Sequence, residues 1–224
     1  MYALLRGLTN HIKLILVGDI HQLPSVGPGN VLKDLIESDL VKTIYLDLLY
    51  RQSEESYIPV LAEEIKNNDL DEAFTNKKDD FLFLECPKEQ IVPSIKRLCN
   101  QLVEKGYNDK RAIVLAPMYA GMNGIDNLNK ELQDIFNPSD LEKKEITIGE
   151  VTYREQDKIL QLVNMPDENV FNGDIGFIES IVPSDRSFSK KDEIYVNFDG
   201  NLVRYLPKDL VKIKHGFIVS IHKS

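Results

Sequence analysis

Cysteine is almost missing from this chain: Cys86 and Cys99 are all there is. Two thiols cannot build a disulfide framework, and these lie too far apart for a zinc knuckle. Reduced thiols in a cytosolic protein are the plain reading. Long apolar runs are missing too, and none approaches the roughly 18 residues of a membrane span. The opening residues, MYALLRGLTN, lack the basic region and long apolar stretch of a secretory leader. Positive charge is in deficit, with 27 Lys and Arg against 36 Asp and Glu, a net charge of −9. Taken alone, that balance speaks against a nucleic-acid partner. The phosphate-cradling pattern GxxxxGK[ST] does not occur; GPGN is glycine-rich but lacks the lysine. No internal repeat and no low-complexity tract interrupts the chain.

What is present is the composition of a globular protein, 42% hydrophobic and 28% charged. The 224 residues amount to about one and a half domains at roughly 150 residues each. That is long enough for a real core. The ends read as cuts through a longer protein. MYALLRGL is helix-like without a capping residue, and GFIVSIHKS stops in an apolar, strand-like run.

Two textures lie between the ends. In the first, strand-like runs alternate with amphipathic stretches. KLILVGD (Lys13 to Asp19), KTIYLDLLYRQ, FLFLE (Phe81 to Glu85) and RAIVLAPMY read as strands, the first as a buried parallel one. Asn30 is a candidate N-cap for a helix burying Val31, Leu32, Leu35 and Ile36. Ser56 is another, before Ile58, Leu61, Ala62 and Ile65. Ile91, Ile95, Leu98 and Leu102 mark a long helix. Ile125, Leu128, Leu132 and Ile135 mark the next. This alternation predicts a parallel α/β sheet.

After about Asn137-Pro138 the texture changes. From Ile146 to Ile213 there are only short strands: KILQLVN, IGFIESIV, EIYVNF and LVRYL. Asn172-Gly173, PSDRSFSKKD and Asp199-Gly200 separate them, the last as a tight hairpin turn. About five such strands predict a small barrel. GFIVSIHKS then returns to the apolar style, so the barrel is expected to be an insertion into the α/β domain.

GDIHQLPSVGPGN, Gly18 to Asn30, carries the strongest chemical signal. It reads as a strand ending in Gly-Asp, a Pro/Gly-rich loop and a new helix. Ligands of open α/β sheets bind outside the carboxyl ends of strands, so Asp19 and Gln22 stand where a nucleotide phosphate or its magnesium is sensed. Spacing alone favours a plain strand-end turn with both side chains facing water.

GDIHQLPSVGPGNVLKDLI resembles motif III of the superfamily-one helicases, in the form of the RecD-like (exodeoxyribonuclease V alpha-chain) branch. LLYRQSEESYI resembles motif IV with its arginine. LAPMYAGMNGIDNLNKELQDIFNP is similar to the start of the later half of the second RecA-like domain. DKILQLVNMPDENVFNGDIGFI is similar to the start of the SH3-like insertion, and IVSIHKS to the first half of motif V. Five segments in the family's order cover nearly the whole chain. The family's Walker A and B motifs and motif VI have no counterpart here.

The resemblance therefore implies an α/β, RecA-like helicase domain with an inserted SH3-like β-barrel. Residues 1–50 correspond to the end of the first RecA-like domain and 51–145 to the second. Residues 146–214 correspond to the barrel and 215–224 to the return strand of the second domain. It implies part of an ATP-dependent, 5′-to-3′ DNA helicase of a bacterial cytoplasm, acting in repair or recombination. ATP and Mg2+ would serve the intact parent, and neither is expected to bind tightly to this chain, nor is it expected to hydrolyse ATP. Single-stranded DNA is the implied partner, with other subunits of a recombination nuclease complex as a further one; a membrane is not.

By the same resemblance, Gln22 couples the γ-phosphate to the DNA, as an amide that can donate and accept. Asp19 supports the nucleotide and its magnesium. Arg51 is an arginine finger on the γ-phosphate, and Tyr50 stacks on adenine. Pro117, Met118 and Tyr119 follow a strand and are candidate DNA contacts; a half-buried core aromatic is the equal alternative for Tyr119. Asn164, Asn172 and Gly173 are candidate phosphate contacts, or turn residues favouring positive φ. His222, Lys223 and Ser224 match the start of motif V. No metal site is expected, and His11, His21 and His215 read as surface or turn residues. Three other readings remain open: a relaxase-linked helicase of conjugation, a non-catalytic DNA-binding or interaction module, and an unrelated α/β enzyme with a barrel insertion.

Overall fold

The computed structural model describes residues 2–9, 11–22, 29–46 and 56–221. They belong to two compact units, Met1–Glu85 and Cys86–Ser224. The expected boundary at 50/51 lies outside the described residues.

Among its described residues the first unit has the α-helices α1 (Tyr2–Gly7), α2 (Val31–Glu37) and α3 (Tyr57–Asn67). Leu32, Leu35 and Ile36 of α2 are half-buried, as their spacing predicts, and Val31 is exposed. Asn30 is the N-cap of α2 by position, but its side chain makes no capping hydrogen bond. Ser56 occupies the N-cap position of α3, and its side chain does not cap either. The capping acceptor comes from far along the chain. The Asp80 carboxylate accepts the Tyr57 N–H at 3.1 Å and the Ser56 hydroxyl at 2.5 Å. An acceptor at a helix N-terminus satisfies a donor that the helix leaves open.

The apolar runs of this unit depart from expectation. Residues 13–18, 42–46 and 81–85 form no helix and pair in no sheet among the described residues. A parallel strand becomes a strand only by hydrogen bonding to neighbours. Without them its side chains stay in water, and Val17 is 89% exposed. Residues 81–85 are anchored by rings instead, with Phe81 against Tyr57 at 5.7 Å and Phe83 edge-on to Phe74 at 4.9 Å.

The second unit is better packed. Helix α4 (Ile91–Glu104) leads to strand β1 (Val114–Ala116) and helix α5 (Ile125–Phe136). Ile125, Leu128 and Leu132 are buried, and Ile135 packs beside them, as the periodicity predicts. On α4 the buried line is Val92, Ile95 and Cys99, while Leu98 lies at the exposed edge. The predicted stripe is thus rotated by one residue, with a small thiol where the helices approach. Burial raises the Cys99 pKa. Each fully buried Leu or Ile of this layer contributes roughly 1.5–3 kcal/mol of transfer free energy.

Between α5 and the end of the chain stand β2 (Glu145–Ile148), β3 (Val151–Arg154), β4 (Lys158–Gln161), β5 (Ile175–Val182), β6 (Glu193–Phe198), β7 (Asn201–Tyr205) and β8 (Ile213–His215). Strands β4 to β8 form one antiparallel sheet in the order β7-β6-β5-β4-β8. A register shift between Ile178 and Ser180 bends β5. The β2–β3 hairpin lays Ile146, Ile148, Val151 and Tyr153 on the core of that sheet. The result is a small barrel-like, two-layer β-structure filled by Ile159, Ile178, Ile181, Ile194, Val196 and Tyr205. Asp199 and Gly200 both have positive φ, 52° and 92°, and close the β6–β7 hairpin as their sequence predicts.

The chain then leaves the barrel through Gly216 into β9 (Ile218–Ser220). Strand β9 lies parallel to β1, with Val114 opposite Ile218 and Ala116 opposite Ser220. The protein is thus α/β, with a parallel pair whose two strands flank a complete barrel in sequence.

Candidate functional site

Asp19 and Gln22 are brought together. Both are exposed, and Gln22 Nε2 donates to Asp19 Oδ2 at 3.2 Å. The His21 backbone N–H donates to Asp19 Oδ1 at 2.9 Å. That N–H, and then the Gln22 amide, hold the Asp19 carboxyl below its ordinary pKa. The residues present fit a supporting contact to a magnesium-nucleotide: one ionised carboxylate and one neutral amide at a turn. They do not make a whole site, because the sequence holds no GxxxxGK[ST], and no three His, Cys, Asp or Glu side chains gather among the described residues. Tyr50 and Arg51 lie outside the described residues, as do His222, Lys223 and Ser224.

In the second unit, Pro117, Met118 and Tyr119 leave the carboxyl end of β1 together. The parallel register puts Ser220, the end of β9, beside Ala116. The loop then folds back onto α5. Met118 O accepts the Ile125 N–H at 2.9 Å, and Tyr119 O accepts the Asp126 N–H at 3.2 Å. Gly124 permits this closeness, since a Cβ there would stand 2.4 Å from Tyr119 O. Tyr119 is half-buried against the α/β core, and Lys214 Nζ of β8 lies over its ring at 4.2 Å. Pro117 and Met118 are exposed.

Asn164, Asn172 and Gly173 also converge. Asn164 Oδ1 accepts the Asn172 N–H at 2.9 Å, and the Gly173 N–H donates to Gln161 O at 2.9 Å. All three are exposed on the β4–β5 loop. Of the three only Gly173 has a positive φ, 99°. The asparagines hold the loop through a side chain rather than through left-handed backbone.

Sequence reasoning missed a polar cluster where the barrel meets α5. Asp157 is fully buried. Its Oδ2 accepts from Gln133 Nε2 and the Arg154 N–H, both at 2.7 Å, and its Oδ1 from Asn137 Nδ2 at 2.7 Å. His215 Nε2 lies 3.0 Å from Oδ2. His215 is therefore not the surface or turn residue expected but a buried one. Its partners lie 58 and 82 residues away in sequence, so no local pattern marks it. A second seam joins barrel and α/β layer: buried Lys158 Nζ donates to Asp109 O at 2.5 Å, and Lys110 Nζ lies 4.9 Å from the Phe177 ring centroid. Burial lowers the Lys158 pKa and raises that of Asp109.

Comparison with known proteins follows this anatomy. Residues 128–198, from α5 to the end of β6, match the family described as the ATP-dependent RecD-like DNA helicase SH3 domain. Residues 1–83 match an AAA domain. The chain is 27% identical over 224 residues to the ATP-dependent RecD2 DNA helicase of Deinococcus radiodurans, covering 100% of this chain and 28% of that protein. It is 26% identical over 203 residues to the ATP-dependent DNA helicase RRM3 of Saccharomyces cerevisiae, covering 86% of this chain and 27% of that one. The chain thus spans under a third of the length of either relative. Among solved structures, Bacteroides Pif1 bound to ssDNA aligns over 92% of this chain and 51% of its own, at 14% identity and a TM-score of 0.42. The family matches and the full-length alignment bear out the RecD-like superfamily-one resemblance.

Proposed function

We propose that this RecD-like chain is part of an ATP-dependent DNA helicase that moves 5′ to 3′ along single-stranded DNA in repair or recombination. The observation that carries the reading is the placement of the barrel. The segment matching the RecD-like SH3 domain lies between two strands, β1 and β9, that pair with each other in parallel. The motif-like segments around it keep the family's order.

In this reading Gln22 links the nucleotide to the DNA. Its amide donates one N–H to Asp19, and the second N–H and the carbonyl oxygen are the groups that would meet a phosphate and the DNA. Asp19 supports the nucleotide and its magnesium. Arg51 supplies a guanidinium for charge developing on the transferred phosphoryl group, a role worth 10³–10⁵ in rate where it operates. Tyr50 stacks on adenine. Magnesium-ATP would supply the driving reaction in the longer protein. The DNA runs over Pro117, Met118 and Tyr119, the Asn164–Asn172–Gly173 loop, and His222 to Ser224. The protein acts in the cytoplasm, alone or with subunits of a recombination nuclease.

The test is binding and hydrolysis by the purified 224-residue chain. It should bind a labelled oligothymidylate with an affinity that falls as salt rises, and should show no magnesium-dependent ATPase. In the longer protein, Arg51→Ala should remove ATPase while sparing DNA binding, and Gln22→Ala should separate hydrolysis from unwinding. Salt-independent DNA binding, or ATPase in the short chain, would overturn this assignment.

A further inference from the structure

We infer that Lys214 of the barrel is a further DNA-contacting residue, paired with Tyr119 in one site where the ammonium covers the ring until a base takes its place. The inference rests on the single-stranded DNA reading above and adds a residue and an order of events to it.

The placement carries it. Ala116 and Ser220 end two parallel strands, and ligands of such sheets bind beyond the carboxyl ends. Tyr119 stands three residues past that edge. Its backbone is tied to the first turn of α5 by the Met118 and Tyr119 carbonyls, and the missing side chain of Gly124 makes room for the closure. The ring is packed on the core along one side. On the ring lies Lys214 Nζ, 4.2 Å from the centroid.

Lys214 is equally well placed for a change of partner. Its neighbours Ile213 and His215 are buried, and its backbone is paired to Leu160 of β4. The Cα is therefore fixed, and only the four-carbon stem swings. Among the described residues no carboxylate forms an ion pair with Lys214. A cation without an anion, lying on an aromatic face, is a cation–π arrangement that a base can replace. A base stacked on Tyr119 displaces the ammonium, and the nearest new partner is the phosphate attached to that base. Met118 and Met122, within three residues of Tyr119 in the chain, add exposed apolar side chains to the same loop. Aromatic stacking with a neighbouring cation is how single strands are held without regard to sequence.

The chain has no tryptophan, so Tyr119→Trp places a lone indole at the site. Titrated with oligothymidylate, this variant should be quenched as bases stack on it. Lys214→Ala should weaken binding several-fold at low salt. It should also flatten the plot of log K against log salt by about 0.7, one single-strand phosphate contact. Lys214→Arg should restore the slope. Tyr119→Ala should weaken binding about tenfold with the slope at moderate and high salt unchanged. Thermal melts of each variant guard against misfolding. If the unsubstituted chain binds DNA but Lys214→Ala leaves the slope unchanged, or the indole is not quenched, the inference is wrong and the DNA reading stands. If the unsubstituted chain does not bind at all, both fall.

Discussion

His215 Nε2 lies 3.0 Å from Asp157 Oδ2, with both side chains buried where the barrel meets α5. Asp157 belongs to the turn before β4 and His215 ends β8, the neighbour of β4 in the sheet. Gln133 and Asn137 reach the same carboxylate from α5. One carboxylate therefore ties three segments that are distant in sequence. Beside it, Arg154 pairs with Asp134 and Glu145, each at 2.7 Å. This cluster and the Lys158–Asp109 contact fix the barrel on the α/β layer, and with it the position of Lys214 over Tyr119.

Asp157→Ala should therefore be costly. Removing one member of a buried, hydrogen-bonded cluster leaves its partners unsatisfied, at about 3–5 kcal/mol. Urea denaturation of the variant should show a loss of that size. Hydrogen exchange should rise first at β3, β8 and the end of α5. A loss under 1 kcal/mol would show that the cluster does not hold the seam.

Gly124→Ala tests the loop that carries Tyr119. A Cβ would lie 2.4–2.6 Å from the backbone of Tyr119 and Ala120, where nothing flexible can yield. The expected loss is about 2 kcal/mol or more, measured by thermal melting. DNA affinity should fall with it, since the ring moves. Ala120→Gly, which adds no atom to the loop, should leave the ring in place and serve as the control.

Gly200→Ala tests the hairpin. With φ at 92°, an alanine is strained, and a loss of about 1 kcal/mol is expected from the barrel. An unchanged melting curve would mean that the turn does not set the β6–β7 register.

Glu193 gives a dependence on acid. The hydroxyls of Ser189, Tyr195 and Ser187 lower its pKa to about 2 from the ordinary 4.5. A carboxyl lowered on folding stabilises above its unfolded pKa, and that contribution fades as pH falls from about 4.5 toward 2. Melts across that window should show the barrel weakening. In Glu193→Gln the acid slope should be smaller. Equal slopes in the two proteins would rule out this carboxylate as a source.

The sequence was legible where structure is local. Ile125, Leu128 and Leu132 announced α5 by their spacing, and Asp199-Gly200 announced the hairpin by backbone preference. The apolar runs at 13–18, 42–46 and 81–85 have the composition of strands, yet among the described residues they pair in no sheet. An apolar run shows that a segment suits a sheet but cannot supply the neighbour. His215 and Lys214 were illegible for a related reason. A lone histidine and a lysine in IKH look like any strand residues.

The sequence by itself determined the helices, the tight turn and the order of the family-like segments. Each depends on residues a few positions apart, where spacing and backbone preference are enough. Only the tertiary structure decided that Asp157 is met by α5 and β8, that Lys214 covers Tyr119, and that β9 returns beside β1 after a whole barrel. Those contacts join residues from 20 to about 100 positions apart. They exist only after the cores have formed, because buried polar groups take whatever partners the packed chain brings within hydrogen-bond reach.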